Sequence, residues 1–277
     1  MGKPFDRDPE FQRLLRGDDH VDLSRLAMEL ARDAYPDLDA DRYLRRIDDL
    51  AGRVRDRCAD GLKAKPILGQ INWVLFHEEN YRGNQDDYYD PRNSYLSDVI
   101  DRRVGIPISL SVLYLAVAER IGLAMAGVNL PAHFVVRLRE APLFVDPFHQ
   151  GILLDREGCA RRVAEVTGQE IRTLPETILA PCPPRVMISR MLRNLKATYL
   201  QREEYMDALP VLRRLIALAP DDPEEHRDLG IVCMHTDRPG EAVAHLQSYL
   251  DARPEADDRE TVALIHKAAW RDLARRN

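Results

Sequence analysis

Between residues 107 and 146 the apolar period of this chain changes, and that change restricts the fold more than any other feature. From Pro107 to about Arg120, Leu110, Leu113, Tyr114 and Val117 recur at helical spacing. Pro107 suits the first turn of a helix, where a missing N–H costs little, and Gly122 suits its end. Phe134, Val136 and Leu138 then alternate with His133, Val135 and Arg137, which is the period of a strand. Leu143–Asp146 and Ile152–Leu154 read as two further strands. Three short strands this close in sequence predict an antiparallel sheet with helices packed on it, an α+β fold.

The preceding segment reads as helical. Leu23, Leu26, Leu30 and Ala34 share one face, and Pro36 stops that helix. Leu38, Tyr43, Leu44, Ile47, Leu50 and Val54 form the next apolar stripe. A third helix is expected from Ile67 to Phe76, carrying Ile71, Val74 and Leu75. Tyr81 to Asn93 is a polar loop with turn residues Gly83, Asn84 and Pro91. Asn93 or Ser94 is expected to cap a short helix reaching Ile100.

Residues 175–184 hold four prolines (Pro175, Pro181, Pro183 and Pro184) and read as a linker. Beyond them a period of 34 residues relates Ala208 to Ala242, Leu212 to Leu246, Leu195 to Leu229 and Pro220 to Pro254. A helix–turn–helix unit of that length is the tetratricopeptide signature. Pro210 is discordant and fits only if its helix starts near Asp207 or kinks. A last helix is expected from about Glu260 to Arg275. The expected division is residues 1–180 and residues 185–277, the second part all-α.

The formal charge of the 277 residues is −6, of which residues 185–277 contribute −1. Neither part is basic, which argues against nucleic acid held through phosphates. No apolar run approaches the ~18–20 residues of a membrane span, and the charged N-terminus lacks a signal core. A cytoplasmic chain that binds no membrane is therefore expected. Cys58, Cys159, Cys182 and Cys233 are scattered and read as free thiols, with no metal site and no cofactor expected. Asp86, Asp87 and Asp90 lack the spacing of a calcium loop and read as a solvated acidic segment. His77-Glu78-Glu79 lacks the second histidine of a zinc-protease helix.

One ordered set could carry chemistry. Ser109 stands about three residues into the helix opened by Pro107, where backbone N–H groups favour negative charge. His133 could act as base and Asp146 could orient it, with Asn and Asp side chains of residues 84–98 lining the cleft. Ser111 is a rival hydroxyl, but two residues turn it ~200° around the helix. Each member also has a plain structural reading. A serine in a first turn commonly bonds local backbone, and Asp146 suits a turn. His149, next to Phe148, could approach the same cleft, but a turn is its favoured reading.

The segments LAMELARDAYPDLDADRYLRRIDDLA, NYRGNQDDYYDPRNSYLSDVIDRRVGIPISLSVLYLAVAERIGL, GVNLPAHFVVRL and FVDPF resemble the SirB1 family of the transglutaminase-like superfamily. The likeness covers roughly residues 20–160 and extends more loosely into the repeats. It implies a papain-like core, with Ser109 near the superfamily's catalytic cysteine, His133 at its histidine and Asp146 at its aspartate. Two positions depart from the pattern: the thiol is absent, and Ala132 stands where the family reads Gly before His. A thiol can ionise beside a histidine, whereas a serine hydroxyl needs base and oxyanion donors aligned in one step. The expected function is a non-catalytic scaffold that binds a protein or peptide through the repeats or the cleft. The alternative is a serine-dependent amide or ester hydrolase or acyltransferase using Ser109, His133 and Asp146.

Overall fold

The computed structural model describes residues 5–59 and 61–276. It divides into two compact units, Met1–Met191 and Leu192–Asn277. The first begins with α1 (Pro9–Leu15), α2 (Leu23–Ala31) and α3 (Ala40–Asp56). Asp22 and Asp39 cap α2 and α3 by accepting the N–H groups of Arg25 and Arg42. Glu29 on α2 does the same for α1 across the chain, accepting from Glu10 and Phe11 at 3.0 and 2.8 Å.

The expected third helix is α4 (Ala64–Asn72), which widens into a π-helical turn over Trp73–Glu78. The polar loop that follows is partly structured. Its β1 (Arg82–Gly83) runs parallel to β2 (Val104–Gly105), on either side of α5 (Leu96–Arg102). The cap expected at Asn93 or Ser94 is not there. Tyr95 is the N-cap of α5, and its side chain makes no capping bond. Asn93 instead ties the loop together, donating to the carbonyls of Asp87 and Tyr88 and accepting from Asn84.

α6 (Pro107–Arg120) is the central helix of the unit. Its apolar residues surround the axis, and most of it is buried, as expected of a helix enclosed by other elements. The four-stranded antiparallel sheet has the order β3 (Met125–Val128), β4 (Val135–Leu138), β5 (Phe144–Asp146), β6 (Ile152–Leu154). The three expected strands are β4, β5 and β6. β3 escaped sequence reading because all four of its residues are buried, so it shows no alternation.

α7 (Arg156–Thr167) was also unexpected. Asp155 caps it through the Gly158 N–H at 2.7 Å. Its Cys159 and Val163 join Val128, Leu130, Val135, Phe144 and Leu179 in a core cluster. The proline-rich stretch is therefore no loose linker. It contains α8 (Glu176–Leu179), whose Leu179 carbonyl accepts from Arg137 at 2.9 Å. The Cys182 N–H donates to Gly127 in β3.

The boundary between the units falls within α9 (Pro184–Gln201). The second unit continues with α10 (Tyr205–Leu218), α11 (Pro223–His235), α12 (Pro239–Ala252) and α13 (Arg259–Arg276). α10 and α12 begin and end 34 residues apart, so the sequence period is a structural one. Ala208 and Ala242 are fully buried. A Cβ on Gly230 would lie 2.6 Å from Leu246, so α11 and α12 depend on that glycine for their close approach. Pro210 is the sixth residue of α10, which starts at Tyr205 rather than near Asp207 and runs through the proline.

One contact between α11 and α12 should respond to pH. His226 Nε2 lies 2.8 Å from the Pro220 carbonyl and must donate to it, which leaves a neutral His226 accepting at Nδ1 from His245 Nδ1, 2.9 Å away. Burial first, then His226, lowers the pKa of His245, with Glu241 opposing and Arg213 assisting. A lowered histidine pKa means that the unfolded state binds more protons. This contribution to stability is therefore complete above about pH 6.5 and is lost as the pH falls below it. Urea melts between about pH 7.5 and 5.5 should show this decline, and His245→Gln should flatten it.

Candidate functional site

His133 enters its site from a strained corner. Ala132 adopts φ +55°, a left-handed conformation in which a Cβ is unfavourable, and β4 starts three residues later. The ring of His133 is 2 % exposed and its Nε2 lies 3.0 Å from Asp146 Oδ2. Asp146 ends β5 and is fully buried. It also opens a 3₁₀ turn, Pro147–His149, whose last N–H it accepts through Oδ1. That turn brings the His149 ring back, and His149 Nδ1 lies 2.8 Å from the same Asp146 Oδ2.

Asp146 therefore holds two histidines, one of which, His149, sequence reading favoured as a turn residue over a cleft residue. Arg162 of α7 is a third neighbour that no sequence signal flagged. Its Nε lies 3.0 Å from Oδ2, close enough for a charge pair but not aligned as a hydrogen bond. Burial opposes the charge of Asp146, but hydrogen bonds from His133 and His149 outweigh burial and hold its carboxyl well below the usual range. An ionised carboxylate can only accept, so both rings donate to it. A neutral His133 then presents its other nitrogen, Nδ1, as an acceptor.

His133 lines a cavity of about 510 Å³ together with Gln85, Tyr88, Tyr89, Pro107, Ala132, Phe148, His149 and Val166. The loop contributes two tyrosines and a glutamine here, in place of the Asn and Asp side chains expected of residues 84–98. Tyr88 and Phe148 meet edge to face at 6.5 Å, as do His133 and Phe148 at 6.1 Å. Gly83 admits this wall, because a Cβ there would lie 2.5 Å from the Phe148 ring.

The α6 residue that reaches the cavity is Pro107. Ser109 is fully buried and is not among the lining residues. Its hydroxyl donates to the Asn93 carbonyl at 2.6 Å and accepts the Ile106 N–H at 3.1 Å. It thus closes the N-terminus of α6 and fastens the 81–93 loop to it. Ser111 is also fully buried away from the cavity, and its hydroxyl has no hydrogen-bond partner. The structure thus brings His133 and Asp146 together and turns the Ser109 hydroxyl to other partners. Among the described residues that line the cavity there is no cysteine, and Cys159 sits in the core, where burial and then the charge of Asp146 push its pKa up to about 12.

His133, Asp146 and His149 offer three potential metal-ligand atoms within 4.8 Å of one another. Arg162 places a fixed positive charge on the shared carboxylate oxygen, which a divalent cation would have to displace. The donor set satisfies itself as a hydrogen-bonded network instead. The other sequence candidates are engaged elsewhere. Asp90 is buried and pairs with Arg92 and Arg102 at 2.8 and 2.9 Å, so it is not part of a solvated acidic loop. His77 stacks on Trp73, and Glu78 and Glu79 pair with Arg53.

Residues 41–193 match the sequence profile of the transglutaminase-like superfamily, and residues 195–266 match that of the tetratricopeptide repeat. A UPF0162 protein of Xylella fastidiosa is 36 % identical over 251 residues, covering 88 % of this chain and 89 % of that protein. A UPF0162 protein of Vibrio cholerae is 28 % identical over 184 residues, covering 65 % and 67 %. The mouse F-box only protein 21 is 37 % identical over 103 residues, which is 34 % of this chain and 16 % of that protein. No solved structure matches the chain. Among the described residues no helix is long and apolar enough to cross a membrane.

Proposed function

Because this chain belongs to the transglutaminase-like superfamily and to the UPF0162 proteins within reach of it, we propose that it is a peptide-binding scaffold that has kept the superfamily's His–Asp pair without a nucleophile. The observation that carries this reading is the Ser109 hydroxyl, committed to the Asn93 carbonyl at 2.6 Å. A nucleophile must lie within reach of its base, and here the α6 residue in the His133 cavity is Pro107. The occupant best suited to the cavity is an apolar or aromatic side chain of a polypeptide. Tyr88, Tyr89, Phe148 and Val166 would hold its body, and His133 Nδ1 would accept one hydrogen bond. The tetratricopeptide repeats favour the same class of partner, because stacked helix pairs commonly bind polypeptide.

Fluorophosphonate labelling tests the reading, since that reagent needs an activated hydroxyl. The native chain should carry no label on Ser109. Ser109→Ala should bind peptides as the native chain does and lose about 1 kcal/mol of stability, the usual worth of a capping hydroxyl. Label on Ser109, together with an ester-hydrolysing activity that vanishes in Ser109→Ala, would replace the scaffold by the serine-dependent hydrolase.

A further inference from the structure

A second recess, of about 610 Å³, lies between the turn before α3 and the exposed side of α5, away from His133, and its walls include Tyr35, Asp37, Arg42, Tyr43, Ser97 and Asp98. We infer that this cleft binds an organic cation, a guanidinium or primary ammonium group, between the Asp98 carboxylate, the Ser97 hydroxyl and the tyrosine rings.

Two buried polar atoms at its wall lack partners. Ser97 is 2 % exposed, and its hydroxyl makes no hydrogen bond. Asp98 Oδ2 is buried and makes none either. Leaving such atoms unsatisfied is costly, and a donor from a ligand would relieve both. The nearby arginines have other direct partners. Arg92 and Arg102 both pair with Asp90, and Arg46 pairs with Asp101. Asp98 makes no ion pair among the described residues; the Tyr35 hydroxyl bonds to it, and Arg102 and Arg92 attract it at longer range. Burial pushes its carboxyl above the usual range, against that hydrogen bond.

The chemistry selects an organic cation over a metal ion. One free carboxylate oxygen and one hydroxyl fall short of the six to eight oxygens that calcium takes. Aromatic faces, in contrast, suit a planar or alkylated cation. Arg42 already shows the mode, with its guanidinium 5.6 Å from the centre of the Tyr43 ring. Asp37, Asp39, Asp98 and Asp101 against Arg42 leave the lining net negative. Of these, Asp39 is engaged as the α3 cap and Asp101 with Tyr43 and Arg46.

Calorimetric titration of the full chain with agmatine and with acetyl-arginine amide tests the inference. Saturable binding that weakens with added salt is expected. Asp98→Asn should weaken it about tenfold or more, as for a lost hydrogen bond to a charged group, and Ser97→Ala about threefold. Binding of agmatine alone would identify a free amine as the natural class, and binding of both probes would identify a basic side chain on a polypeptide. Should Asp98→Asn fail to fold, amide shifts of the native chain on titration should cluster at residues 34–43 and 97–101. No saturable heat with either probe, shifts elsewhere, or affinities untouched by both substitutions would overturn the site.

Discussion

Asp146→Ala is expected to destabilise the chain by about 3–5 kcal/mol, the cost of removing one partner from a buried charged network. The carboxylate is fully buried and neutralises Arg162 while accepting from His133 and His149. Without it the guanidinium keeps only its ion pair with the exposed Glu165, the two imidazoles lose their shared acceptor, and the 3₁₀ turn loses its cap. Asp146→Asn keeps the shape but cannot accept at every position, so it should fall between. The pH dependence has a definite sign. A carboxyl held below its usual pKa contributes stability above about pH 4, and that contribution is lost as the pH falls. Urea melts of the native chain and Asp146→Asn should therefore begin to draw together below about pH 4, the gap narrowing steadily as the pH falls further. A loss under about 1 kcal/mol at neutral pH would mean that water replaces the carboxylate and that the network is not sealed.

Cysteine placed at position 107 should react with iodoacetamide at least about tenfold faster than cysteine at position 109, because only a lowered thiol pKa raises the thiolate fraction. Position 107 lines the His133 cavity at the N-terminus of α6, where His133 and the helix dipole both favour a thiolate. A thiol at 109 would inherit the enclosed contacts of Ser109 with Asn93 and Ile106. Peptide mapping by mass spectrometry separates the new thiols from Cys58, Cys159, Cys182 and Cys233. Faster reaction of Ser109→Cys than of Pro107→Cys would return Ser109 to the nucleophile position and favour acyl-transfer chemistry.

Much of the architecture was readable because it rests on local chemistry. The helix opened by Pro107 and ended near Gly122 has both its boundaries in the sequence. The alternation of residues 133–138 marks β4, and the 34-residue period reappears as the spacing of α10 and α12. The elements that were missed lack a local signal. β3 is buried along its whole length, and α7 carries Arg and Glu residues around a narrow apolar stripe. The proline-rich stretch looked like a linker because prolines report what a backbone cannot do, while Leu179 packs by long-range burial.

Taken alone, the sequence determined the superfamily, the α+β class, the repeat period and the order of hydroxyl, histidine and aspartate along the chain. These depend on residue type and spacing, which neighbours in sequence express. Where side chains point was decided by the tertiary structure. A single residue of α6, Ile108, separates Pro107, which lines the His133 cavity, from Ser109, which bonds the Asn93 carbonyl 16 residues back. Likewise the aspartate that sequence order pairs with one histidine holds two, and an arginine 16 residues later completes its surroundings. A hydrogen bond is directional over about 3 Å, and only packing sets directions at that scale.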